Sequence, residues 1–329
     1  MLALQFNDQQ LRLNDVQKPE MPGEAVVRVT RAGICATDVA ITAGYAGFQG
    51  TLGHEFVGVV ESSPEPEWVG KRVVGDINVG CGVCDDCLRD GHHCEARDVL
   101  GIVRRNGAFA EYLSLPVRNL RIVPDSVTDR EAVFAEPLAA ACRILDQVRI
   151  SRNQEVVVFG DGKLGQLIAQ VLLADGLRPV LVGRHLDKLA VAESVGIAVC
   201  RIEEFENDPK SRQSADVVVE ATGQAAGFGA AMRTVRPRGT VVLKSTFHGE
   251  WKMRAEDLVV PEITIVGSRC GSMDAALDLL ERRAVVLDPL VSAEYPLDAG
   301  IAAFEKATTR GTLKVQLVMN AESRMRNAE

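Results

Sequence analysis

Two textures of apolar and polar positions divide the chain. Over the first 125 residues, short β-type runs ("AVVRVTRAG", "HEFVGVVESS", "KRVVGDI", "GAFAEYLSL") are broken repeatedly by Gly and Pro, which predicts an irregular, barrel-like β domain. "DREAVFAEPLAAACRILDQV" then reads as an apolar helix. From about residue 154 the pattern changes. "EVVVF" is a buried-strand run, and "LGQLIAQVLL" sets Leu164, Leu167, Ile168, Val171 and Leu172 at helical spacing. "PVLVG" predicts a strand, "LDKLAVAESVG" a helix with a glycine stop, and "DVVVEATG" another strand. "AAMRTV" predicts a helix that ends at "RPRG", and "TVVLKS" and "EITIVGS" are the last strands of the set. Strands alternating with helices predict a parallel sheet with right-handed crossovers. The last forty residues offer an amphipathic helix ("IAAFEKATTRG"), a final strand ("LKVQLVM") and a polar tail expected to fray.

Composition narrows the function. The 329 residues are 47% hydrophobic and 25% charged, ample for a globular core and, by length, for about two domains. A net charge of -8 with no basic block gives no electrostatic footprint for nucleic acid, and no polybasic segment for an anionic membrane. "MLALQFNDQQ" lacks the basic and apolar regions of a signal peptide, and no run reaches the roughly 18 apolar residues of a membrane span. A cytoplasmic location is expected. There thiols stay reduced, and clustered cysteines bind metal or do catalysis.

Two clusters carry candidate chemistry. In "VVVFGDGKLGQ", Gly160, Gly162 and Gly165 form G-x-G-x-x-G between a strand and a helix. That context lets backbone approach a pyrophosphate at the helix N-terminus. Lys163 and Leu164 lie within this turn, and Lys188, Thr222 and Gly223 are further expected cofactor contacts. At the end of the second strand, where an acid would bond the ribose of NAD, stands Gly183, followed by Arg184. Gly removes a charge that would repel a 2′-phosphate and Arg offers a planar fork for it, so NADP is favoured over NAD. In "CGVCDDCLRDGHHC", Cys81, Cys84, Cys87 and Cys94 suffice for a closed tetrahedral zinc that holds a lobe; His92 and His93 are not needed. An open catalytic site needs about three mixed ligands. "AGICATD" offers Cys35 with Thr37 and Asp38, "LGHEFVG" offers His54 and Glu55, and "AEPLA" offers Glu136. Taken singly, each is as readily a core cysteine or a surface pair. Cys142, Cys200 and Cys270 sit in apolar periodic contexts and read as core.

In this order along nearly the whole chain, the pieces resemble the zinc-dependent alcohol dehydrogenases of the medium-chain dehydrogenase/reductase family. The resemblance runs through "AGICATD", "LGHEFVGVV", "GKRVVG", the four-cysteine lobe, "GAFAEY", "AEPLA", "GDGKLG", "VEATG" and "RPRGTVVLKS". It implies an α/β architecture: a GroES-like β-rich catalytic domain over 1–149 together with 284–329, and a Rossmann doubly wound parallel sheet over 150–283. It implies two zincs per chain. Cys35, His54 and Glu136 match ligands of the catalytic ion, with Glu55 either exchanging onto it or standing behind it. Asp38 matches the acid that orients the ligand histidine, and Thr37 the hydroxyl that relays the alcohol proton. Hydride would pass between an alcohol or polyol, or its carbonyl partner, and the nicotinamide. Tyr45 and Phe48 either line the substrate pocket or pack their loop. The "TIVGS" segment would lie near a subunit contact, giving a homodimer or homotetramer.

Three features depart from the family pattern. Cys87 and Cys94 are separated by one residue fewer than usual, Ala40 stands where many members carry a relay histidine, and the second-strand acid is absent. Two competing readings are a zinc-free NADPH reductase of the quinone-reductase type on the same fold, and a nicotinamide-binding regulatory protein without turnover.

Overall fold

The structure is a computed structural model that describes residues 1–246, 250–251 and 253–319; the polar tail after residue 319 lies outside them. Contacts divide the chain into two units, Met1–Glu136 with Val291–Glu329, and Pro137–Leu290. The divisions fall at 136/137 and 290/291, not at 149/150 and 283/284. One reason is visible in the helix Ala135–Gln147. Lys244 Nζ donates to the Ala140 carbonyl at 2.6 Å, to Ser268 Oγ at 3.1 Å and to the Arg269 carbonyl at 2.8 Å, so most of this helix is tied to the second unit.

The first unit is built on the ten-residue strand Ala25–Ile34. Its sheet runs Leu120–Ile122, Arg72–Gly75, Glu55–Ser62, Ala25–Ile34, Lys314–Val318, Val291–Pro296, with Tyr112–Leu115 also paired to Ala25–Ile34. The returning C-terminal strand therefore lies on one side of Ala25–Ile34 and Glu55–Ser62 on the other. Register pairs Gly33 with Glu55 and Ile34 with Val315. A smaller sheet joins Gln10–Asp15, Leu2–Asn7 and Gly50–Thr51. Leu4, Leu52, Phe109 and Phe134 are fully buried here, each contributing about 1.5–3 kcal/mol for the leucine and phenylalanine side chains removed from water.

The second unit is a six-stranded parallel sheet in the order Ala198–Arg201, Pro179–Gly183, Val156–Phe159, Ala215–Glu220, Val235–Leu243, Thr264–Gly267. The third, second and first strands are followed by the fourth, fifth and sixth, which is the doubly wound dinucleotide-binding order. Its apolar runs are continuous because helices cover a parallel sheet on both faces. Val157, Phe159, Val182, Val218 and Val241 form its core. One expectation fails: "RPRG" does not stop a helix and precede a strand but lies inside the strand Val235–Leu243. Helix Ala225–Thr234 ends one residue earlier, and the extra length is taken up by a register shift and by Arg238 at φ 61°. Pro is tolerated there because the ladder is already interrupted.

Candidate active site and metal centres

Cys35 caps the short helix Ala36–Thr42 at the end of the strand Ala25–Ile34. Its N–H donates to Asp38 Oδ2 at 2.7 Å, which bends the chain so that the thiol and Asp38 stand together. Asp38 is fully buried, and its second oxygen lies 3.1 Å from His54 Nδ1. Nδ1 is the ring nitrogen near the acid, which leaves Nε2 for a metal. Thr37 Oγ1 lies 3.8 Å from Cys35 Sγ and is half-buried.

His54 and Glu55 are adjacent, and on a regular strand their side chains would diverge. They do not. The strand begins only at Glu55, and Gly53 before His54 has φ 95°, so the alternation starts after the histidine. Potential ligand atoms of Cys35, His54 and Glu55 all lie within 4.8 Å of one another. Phe109 packs against Gly53, where a Cβ would stand 2.4 Å from its ring, so the left-handed turn cannot carry a side chain. Glu136 lies outside this mutually close set, yet near enough to respond to its charges. Burial lifts its carboxyl to about 7; His54 and Lys314 pull it down, Glu55 and Asp76 push it up. Burial alone would lower the His54 imidazole, but the neighbouring Asp38 and Cys35 outweigh it and hold it well above the usual range.

The sequence reading missed Lys314. This lysine is fully buried and pairs with Glu55. Each comes from a strand flanking Ala25–Ile34, so the ion pair crosses over Gly33. A Cβ on Gly33 would lie 2.3 Å from Glu55 Oε2, which is why that position is glycine. The available signal was the polar pair Lys314 and Gln316, two apart on an otherwise apolar strand, both fully buried. The chemistry suits a divalent cation. A thiol, an imidazole and a carboxylate converge in a buried place, and Glu55 Oε1 has no hydrogen-bond partner among the described residues.

The second cluster is the lobe. The sulfurs of Cys81, Cys84, Cys87 and Cys94 also lie within 4.8 Å of one another, so the shortened spacing still closes a four-thiol group. Gly80 leaves room for Cys87, whose sulfur would be 2.5 Å from a Cβ there. The Cys87 sulfur accepts from the Gly82 amide at 3.3 Å and the Cys94 sulfur from the Cys81 amide at 3.4 Å. Amides of Val83 and Cys84 help bring the Cys81 thiol down to about 6. At Cys84 the Cys87 amide pulls downward, but the crowding thiols and burial raise it to about 11. Four sulfurs that cannot all ionise together fit a closed zinc site that neutralises them. His92 is engaged elsewhere, its Nε2 3.0 Å from Asp76 Oδ2. Cys142 is buried, and Cys200 and Cys270 are half-buried.

In the second unit the glycine-rich turn leads from the strand Val156–Phe159 into the helix Lys163–Ala174, capped by Gly162. Gly160 has φ 117°, and a Cβ on Gly165 would lie 1.8 Å from the Gly160 carbonyl, so helix and turn close to backbone contact. The first N–H groups of a helix lack intrahelical partners, which suits a phosphate at this end. Arg184 is exposed, with Nη1 3.4 Å from Gln224 Oε1. Thr222 is held by Glu220, which accepts from its amide at 2.7 Å, and the Gly223 amide donates to Ser245 Oγ at 2.9 Å. Glu220 and Ser245 were not anticipated. Lys188 is half-buried, its carbonyl accepting from Gln166 Nε2 at 2.7 Å.

Comparison with known proteins agrees with this geometry. Residues 21–125 match the alcohol dehydrogenase GroES-like domain and residues 164–282 the zinc-binding dehydrogenase domain. The chain is 31% identical to an erythritol/L-threitol dehydrogenase of Mycolicibacterium smegmatis, over 93% of this chain and 94% of that protein. It superposes on an alcohol dehydrogenase from Thermus sp. ATN1 with a TM-score of 0.89 at 29% identity, covering 97% of this chain and 100% of that one. A zinc-binding dehydrogenase from Sinorhizobium meliloti 1021, bound to NADP, gives 0.87 at 26% identity, with 96% and 98% covered. Two matched domains in the family's order, on a fold with its two expected units, establish that this chain belongs to the zinc-dependent alcohol dehydrogenase-like branch of the medium-chain dehydrogenase/reductase family, enzymes that transfer hydride between an alcohol or polyol and NAD(P).

Proposed function

We propose that the enzyme is a polyol dehydrogenase that holds two zinc ions per chain, one catalytic and one in the cysteine lobe. The observation that carries this reading is the buried convergence of Cys35, His54 and Glu55, with Asp38 behind the histidine. Cys35 and His54 would hold the catalytic ion with a carboxylate: Glu55 stands in the convergent set, paired with Lys314, and Glu136, the third ligand that the resemblance implies, lies just outside it. When bound, zinc supplies Lewis acidity at the substrate oxygen and the nicotinamide supplies the hydride acceptor or donor. Asp38 fixes the ring of His54, and Thr37 takes the alcohol proton. The glycine turn, Lys163, Leu164, Thr222 and Gly223 bind the dinucleotide, and the end of the strand Pro179–Gly183 selects which one.

Polyol is the substrate class supported by relatives that act on erythritol or L-threitol, on sorbitol and on D-arabinitol, the last two at 29% identity. A homodimer or homotetramer fits the placement of Thr264–Gly267 at the edge of its sheet, where unpaired backbone can meet a second copy. A cytoplasmic location accords with eight free cysteines, and no helix among the described residues is long and apolar enough to cross a membrane.

Zinc per chain, measured by elemental analysis in wild type and in Cys35→Ser, tests this reading alongside oxidation of a polyol panel. Wild type should hold about two zincs and the variant about one, with turnover lost. Unchanged zinc in Cys35→Ser would remove Cys35 from the ligands and bring forward the zinc-free reductase.

A further inference from the structure

The glycine turn carries an acid of its own. Asp161, between Gly160 and Gly162, turns its side chain to the end of the strand Pro179–Gly183. Its Oδ2 accepts from the Arg184 and His185 amides, each at 2.7 Å. His185 Nδ1 lies 3.1 Å from Oδ1 and 3.0 Å from Oδ2. A Cβ on Gly183 would fall 2.5 Å from Asp161 Cβ and 2.6 Å from Oδ2. The Asp161 side chain thus fills the space into which an acid at the strand's end would project. Gly183 is the glycine that admits it.

We infer that Asp161 replaces the missing strand acid: from the glycine turn it presents a fixed carboxylate to the adenosine ribose, and the enzyme selects NAD over NADP. This rests on the nicotinamide reading above, and it reverses the preference drawn from Gly183 and Arg184. Three observations carry it. A 2′-phosphate would meet a like charge at the strand end. The two amides there, which could otherwise bind such a phosphate, already donate to Asp161. Among the described residues the Arg184 guanidinium forms no hydrogen bond or ion pair with Asp161; it reaches Gln224 on the exposed surface, where a charge is screened and weak. Asp161 keeps capacity for the ribose, because Oδ1 is met only by the His185 ring while a carboxylate offers about four acceptor sites. Its side chain is 10% exposed, so it is anchored but not sealed.

The test is direct titration of the zinc-loaded, full-length enzyme with NADH and with NADPH. Wild type should bind NADH at least about tenfold more tightly, the size of one charge-assisted hydrogen bond gained or lost. Asp161→Asn keeps an oxygen for the two amides but loses the charge, and should move the NADPH-to-NADH ratio toward NADPH by roughly 10- to 100-fold. A wild type that prefers NADPH, or a ratio unmoved in Asp161→Asn, overturns the inference while leaving the nicotinamide reading intact. Failure to bind either dinucleotide overturns both. The wild-type ratio needs no variant, so the inference is testable even where Asp161→Asn does not fold.

Discussion

Lys314→Met isolates the charge of one buried residue. Lys314 and Glu55 are both fully inaccessible, drawn from strands on either side of Ala25–Ile34, and the lysine ammonium also stands 5.6 Å from the ring centroid of Phe134. Methionine retains most of the apolar stem, so packing changes little. What is lost is the only cation paired with Glu55 among the described residues, in a region that also holds the Asp38 and Glu136 carboxyls. Leaving one member of a buried pair uncompensated costs about 3–5 kcal/mol. For a unit of this size each kcal/mol is about 2–4 °C, so the melting temperature of the zinc-depleted protein should fall by roughly 6–20 °C. Replacing both members removes the uncompensated charge, so Glu55→Gln combined with Lys314→Met should recover more than half of the loss. The unit can be followed by itself. The chain has two tryptophans, and in a Trp251→Phe background the fluorescence of Trp68 reports the unit that holds the pair. A single variant within about 1 kcal/mol of wild type, or a double variant no more stable than the single, would refute the argument that the charge of Lys314 holds this corner together.

Gly33→Ala probes the same place sterically. Its Cβ would stand 2.3 Å from Glu55 Oε2 and 2.8 Å from Val133 Cγ1, so a loss of about 1–3 kcal/mol is expected in urea denaturation, together with weaker zinc retention against a chelator. The pH dependence has a definite sign. Glu136, with its folded carboxyl raised from 4.5 to about 7, binds more protons folded than unfolded; its contribution therefore favours the metal-free fold most at low pH, and stability falls as pH rises from about 4.5 to about 7. His54, raised above 6.5, acts in the same direction at higher pH, where its folded-state proton is lost. A metal must displace these protons, so zinc affinity measured by chelator competition should climb by about tenfold per pH unit for each proton released, levelling off above the folded values. An affinity flat between pH 5 and pH 7 would contradict the raised Glu136 carboxyl.

What could be read from the sequence is what is encoded locally. The period of apolar positions after residue 154 yields strands and helices because backbone geometry repeats every two residues or every 3.6. The glycine turn and the four-cysteine lobe are legible because all their members fall within one short segment, so no long-range folding has to be known. "RPRG" misled because a helix stop and a strand bulge use the same residues, and only the partner strand distinguishes them. Tertiary structure decided which side chains meet. Glu55 and Lys314 are 259 residues apart, and they pair because the C-terminal strand returns beside Ala25–Ile34 with a register that puts both across Gly33. His54 and Glu55 share a site because Gly53 delays the alternation that their adjacency alone would predict. Asp161 was visible in "GDGKLG", and Gly183 in "PVLVG", but not that one fills the space left by the other. Period and motif are properties of a segment, whereas the partner of a buried charge is a property of strand order and register, which the segment does not contain.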